Sequence, residues 1–121
     1  MDILKKVMKL ENDAKEFGFA WESINQIIEQ IQSECQEVLE AHKNNDKIHL
    51  QEEIGDLLHA AVCLAIFCEI SPLEVLDQSR EKLQKRYDIV VSLAKKDGLK
   101  DLKNQPLDVL MSYWNRAKKL L

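Results

Sequence analysis

A chain of 121 residues, 45% hydrophobic and 31% charged, is long enough to bury a core as one domain and too apolar to be disordered. Its net charge of −4 at pH 7 disfavours general nucleic-acid binding. No apolar run approaches the ~20 residues of a membrane span, and the charges in MDILKKVMKLEND do not suit a secretory signal. A cytoplasmic protein with neither nucleic acid nor membrane as partner is expected. There are only three glycines and two prolines, and apolar residues recur at helical spacing. Helices are expected near 2–16, 21–44, 47–69, 72–97 and 106–120. FGF at 17–19 separates the first two, and NNDK at 44–47 reads as a tight turn. Ser71 and Pro72 open the fourth helix. Gly98 stops it, and Pro106 opens the fifth. The fold class is all-α, an antiparallel helical bundle of four to five helices.

The second helix carries an apolar stripe at Ile24, Ile27, Ile28, Ile31, Cys35, Val38 and Leu39. Glu34 and Glu37 fall on its shoulder. On the third helix, Glu53 and Asp56 project to the same side as Ala60, Cys63, Leu64 and Phe67. The other sides of 57–68 are apolar as well and need cover all round. A partner subunit is therefore expected there, in a homodimer or homotetramer. Gly55 is expected to be a close-packing point between helices, because a mid-helix glycine costs about 1 kcal/mol against alanine. Cys35, Cys63 and Cys68 are expected as buried thiols in a reducing compartment. With no paired CxxC spacing, a zinc site is not expected. His59 stands three residues after Asp56 and is read as a lone histidine satisfied near an interface, and His42 and His49 as exposed.

Two acid pairs stand at i,i+3, Glu34/Glu37 and Glu53/Asp56, which puts the members of each pair on one helix face. Both pairs lie about 14 Å from the NNDK turn at 1.5 Å per residue. In an antiparallel hairpin they are level, so four carboxylates face one another. Four close anions repel. They need either protons or a cation, and oxygen-only ligands suit Mg²⁺, Mn²⁺ or Ca²⁺. Charge is uneven too. Glu22 to Asp56 holds nine acids and two lysines, whereas Arg80 to Lys119 holds eleven bases and five acids.

SECQEVLEA (33–41) and EEIGDLL (52–58) resemble the EExxE…ExxD signature of the MazG-like all-α nucleoside triphosphate pyrophosphohydrolases. SPLEVLDQSREKLQKRYDIV (71–90) and DVLMSYWNRAKKL (108–120) are similar to the later helices of that family. The resemblance covers roughly residues 20 to 120. It implies a single MazG-like helical domain over 1–121, with 1–20 as N-terminal helix and hinge and 21–120 as core bundle. It also implies hydrolysis of a ribo- or deoxynucleoside triphosphate, or a related nucleotide, to the monophosphate and pyrophosphate. The cofactor is Mg²⁺, with Mn²⁺ as the alternative, and the metal ligands are Glu34, Glu37, Glu53 and Asp56. Glu37 or Glu34 would take a proton from the attacking water. Lys82, Lys85 and Arg86 would hold the phosphate tail. Ser33 replaces the signature's first acid, and Arg80 stands where relatives often have Asn. Trp21 and Phe17 suit stacking on a base or a place in the core, and Trp114 suits packing. The rival reading is a non-enzymatic helical binding or assembly module, whose acids decorate a surface. A carboxylate di-iron bundle ranks last, because it needs two Glu-x-x-His motifs.

Overall fold

In a computed structural model that describes residues 2–121, the chain is all-α. Five helices account for its regular structure: α1 (Ile3–Phe17), α2 (Ile24–Lys43), α3 (Lys47–Phe67), α4 (Pro72–Lys96) and α5 (Leu107–Lys119). No strand occurs among the described residues. Among the described residues no single helix is long and apolar enough to cross a membrane.

The boundaries follow from caps. Gly18, at φ 95°, ends α1 by donating its N–H to the Ala14 and Lys15 carbonyls, a conformation that costs glycine little. The second helix starts three residues later than the spacing suggests, because Ser23 and Gln26 form a reciprocal capping box. In the turn, Asn45 takes φ 56° and the Asp46 carboxylate accepts the His49 N–H at 3.1 Å. Glu69, at φ 58°, ends α3 two residues early. Ser71 caps α4 as expected, accepting the Glu74 N–H at 3.3 Å, and Gly98 at φ 82° follows its end.

The chain divides into two compact units, one ending at Val75 and the other Leu76–Leu121. In the first, α2 and α3 pack along each other and α1 packs on α3. The seam of α2 runs through Ile27, Ile31, Glu34, Val38 and Ala41, all buried or half-buried, at the alternating 4,3 spacing of knobs-into-holes packing. On α3 the same spacing joins Glu53, Leu57, Ala60, Leu64 and Phe67. Glu34 is thus a seam residue, not a shoulder residue, whereas Glu53 shares the row of Ala60, Leu64 and Phe67 as its position on the helix suggests. A second apolar stripe on each helix, Ile24, Ile28 and Leu39 on α2 and Ile54 and Leu58 on α3, lies exposed.

Two sequence expectations need correction. Of the three thiols only Cys63 is buried, while Cys35 and Cys68 are exposed, because both lie off the seam. Gly55 is no close-packing point within the chain, since a β-carbon there would meet nothing within 4 Å. Gly55→Ala is therefore expected to stabilise the isolated chain by about 1 kcal/mol through helix propensity, read as a higher Tm. A lower Tm would show that another molecule's atoms fill that space.

In the second unit, Ala94 of α4 and Tyr113 and Ala117 of α5 are buried. The Tyr113 hydroxyl donates to Asp97 at 2.7 Å, and Arg116 adds a bond to the same oxygen at 3.1 Å. Those two donors hold the Asp97 carboxyl below its usual range. Tyr113→Phe is expected to lower the Tm. Its destabilising effect should fade as pH falls through the depressed Asp97 pKa, where the carboxylate gains a proton and this contribution is lost anyway.

Candidate active site

Because α3 returns along α2, residues equidistant from the turn meet. The carboxylates of Glu34, Glu37 and Glu53 each offer an oxygen within 4.8 Å of the others. Glu34 and Glu53 are buried and Glu37 is half-buried. Asp56 is exposed and falls outside this close group, but it lines a cleft of about 750 Å³ together with Glu34. Three of the four expected carboxylates therefore converge, and the fourth borders the same space.

The cluster is under electrostatic stress. The neighbouring carboxyls of Glu37 and then Glu34, joined by burial, disfavour the charged form of Glu53 and push its pKa up to about 7. Like charges this close favour retention of a shared proton. One oxygen of Glu34 accepts from the Gln30 amide, and one of Glu53 bonds His49 Nε2 at 3.1 Å. The other oxygen of each, Oε2, is buried with no hydrogen-bond partner. An unpartnered buried carboxylate oxygen is costly. Oxygen-only donors around two such orphans fit a hard divalent cation. Gln30 and His49 were not anticipated from sequence, although each stands four residues before the glutamate it bonds.

Trp21 lines the cleft, as do Phe19, Glu11 and His59. Phe17 does not; it projects from the end of α1 and is 90% exposed. His49 and His42 are exposed as expected, but His49 is engaged by Glu53. Lys82, Lys85 and Arg86 lie on α4 in the second unit. Lys82 and Lys85 are exposed. The Arg86 guanidinium stands 5.4 Å from the centre of the Trp114 ring, within cation–π reach, so Trp114 has a packing role there. Arg80 pairs with Asp77 at 2.9 Å.

The model of the MazG nucleotide pyrophosphohydrolase domain matches residues 22–91, a span that holds the whole carboxylate cluster and Asp56. The chain belongs to the MazG family. It is 33% identical over 115 residues to the nucleoside triphosphate pyrophosphohydrolase/pyrophosphatase MazG of Thermotoga maritima, covering 95% of this chain and 44% of that protein. The nucleoside triphosphate pyrophosphohydrolase of Escherichia coli K12 is 25% identical over 118 residues, covering 96% and 44%. YabN of Bacillus subtilis is 35% identical over 77 residues, 64% of this chain and 15% of that protein. The chain spans under half the length of these curated relatives.

Proposed function

We propose that this MazG chain is a Mg²⁺-dependent nucleotide pyrophosphohydrolase that converts a nucleoside triphosphate, ribo or deoxy, or a related nucleotide, to its monophosphate and pyrophosphate. The supporting observation is the convergence of Glu34, Glu37 and Glu53 with two buried, unpartnered carboxylate oxygens. Those three would hold the ion, with Asp56 as the fourth carboxylate from the cleft wall. Bound Mg²⁺ would supply charge neutralisation on phosphate oxygens and a more acidic water, with Mn²⁺ as an alternative. Glu37, the least buried of the three, accepts a proton from the attacking water, with Glu34 the second candidate base. Trp21 offers an aromatic face to a base in the cleft. Lys82, Lys85 and Arg86 are the candidate phosphate-binding cations.

The assembly that fits the exposed stripes of α2 and α3 is a homodimer or homotetramer of antiparallel helical bundles, since apolar stripes of this extent seek cover. Light scattering of the full chain tests it, and a monomer at all concentrations would overturn it. For the activity, purified protein with Mg²⁺ and a panel of ribo- and deoxynucleoside triphosphates is expected to release pyrophosphate, and Glu37→Gln to abolish the release. Release of orthophosphate instead would overturn the pyrophosphohydrolase assignment in favour of a different phosphohydrolase, and release of nothing would favour the non-enzymatic assembly module.

A further inference from the structure

Beside the carboxylate cluster, the cleft carries a second convergence that the reaction above does not use. Glu11 of α1 and His59 and Cys63 of α3 each offer a donor atom within 4.8 Å of the others. His59 and Cys63 stand at i,i+4, so one helix face presents an imidazole and a thiol together. His59 Nε2 lies 3.7 Å from Cys63 Sγ and is hydrogen-bonded to a Glu11 carboxylate oxygen. We propose that Glu11, His59 and Cys63 form a binding site for a borderline-soft divalent cation of the Zn²⁺ class, separate in donor chemistry from the three-glutamate group.

The geometry suits such an ion. With Zn–N about 2.0 Å and Zn–S about 2.3 Å, tetrahedral ligation separates the two donors by about 3.5 Å, close to the observed spacing. The Glu11 oxygen must withdraw to about 3.3 Å from the imidazole nitrogen for the same reason, a movement within the rotamer freedom of a half-buried glutamate. Thiolate, imidazole and carboxylate together select Zn²⁺ or Co²⁺ over Mg²⁺, which prefers oxygen alone. All three residues line the 750 Å³ cleft. That provides an entry path and leaves a fourth position open to water or a ligand. The pairing also crosses from α1 to α3, so an ion there would staple the N-terminal helix to the hairpin. His59 and Cys63 lie inside the span matched by the family model and Glu11 outside it. No CxxC spacing announces it, because its third ligand is 48 residues from the histidine.

Cobalt is the probe, since thiolate ligation to Co²⁺ gives a near-ultraviolet charge-transfer band that carboxylates cannot give. The chelator-treated, reduced 121-residue chain is titrated with Co²⁺ in excess Mg²⁺, which competes for the oxygen-only glutamate group. The expected result is a charge-transfer band saturating at one equivalent, with tetrahedral visible bands, and both displaced by Zn²⁺. Cys63→Ser is expected to abolish the band, whereas the double variant Cys35→Ser/Cys68→Ser keeps it. Glu11→Gln, which leaves the seam intact, is expected to weaken Co²⁺ binding by roughly 10-fold or more. No band at one equivalent, a band that survives Cys63→Ser, or unchanged affinity in Glu11→Gln would overturn the site and leave a hydrogen-bonded triad only. The readout is independent of turnover, so it stands or falls separately from the pyrophosphohydrolase proposal.

Discussion

Glu53→Gln is expected to stop nucleotide hydrolysis while raising the Tm of the metal-free protein at neutral pH. The carboxyl it replaces has its pKa pushed up to about 7 by its contacts with Glu37 and Glu34 and by burial. Between the ordinary value of 4.5 and about 7, the folded chain retains a proton that the unfolded chain has released. Metal-free stability therefore falls as pH rises through that window, and the full penalty stands above it. The neutral amide keeps the shape and can donate to its neighbours without adding charge. On the proposed function it also removes a metal ligand. Changes in groups merely supporting a ligand cost about 10–100-fold, so a loss of at least about 100-fold in turnover is expected. Thermal melting of both proteins across pH, in chelator, checks the stability half. The variant's advantage should appear above pH 7 and vanish in acid. A variant less stable than the parent at pH 8 would show that the glutamate cluster is not strained.

The second large effect belongs to the cation. Mg²⁺ at 100 times its Kd should stabilise the parent by about 2.7 kcal/mol, on the order of 10 °C in Tm for a chain of this size. The effect should be lost in Glu34→Gln and in Glu53→Gln. It should also grow from about pH 5 to about pH 8, because Mg²⁺ competes with the proton held by Glu53. Equal Tm values with and without Mg²⁺ would return the acids to the role of surface decoration.

The hairpin was legible in the sequence because two signals of different kinds agreed. The NNDK turn and the two acid pairs were located independently, and their symmetry brought Glu34, Glu37 and Glu53 together. The face these residues occupy was less legible. A broad stripe from Ile24 to Leu39 does not reveal which half packs on α3, and the folded chain chooses the 27–31–34–38–41 row, which places Glu34 inside the seam. Periodicity ranks residues by hydropathy, and a glutamate in a seam is what hydropathy misreads. Gly55 failed for a related reason. A helical glycine is a conformational cost whose compensation lies in other atoms, and this chain supplies none there. The Glu11–His59 contact was invisible because it joins residues on separate helices with no shared spacing.

Manganese-induced broadening in the amide spectrum of the full chain tests the heart of this picture, a divalent ion held between α2 and α3. Substoichiometric Mn²⁺ in the presence of a nonhydrolysable nucleotide should erase signals first around Glu34, Glu37, Glu53 and Asp56, and the same addition to Glu53→Gln should leave them sharp. Broadening spread evenly over exposed acids, or unchanged by Glu53→Gln, would contradict a metal-dependent hydrolase built on these residues.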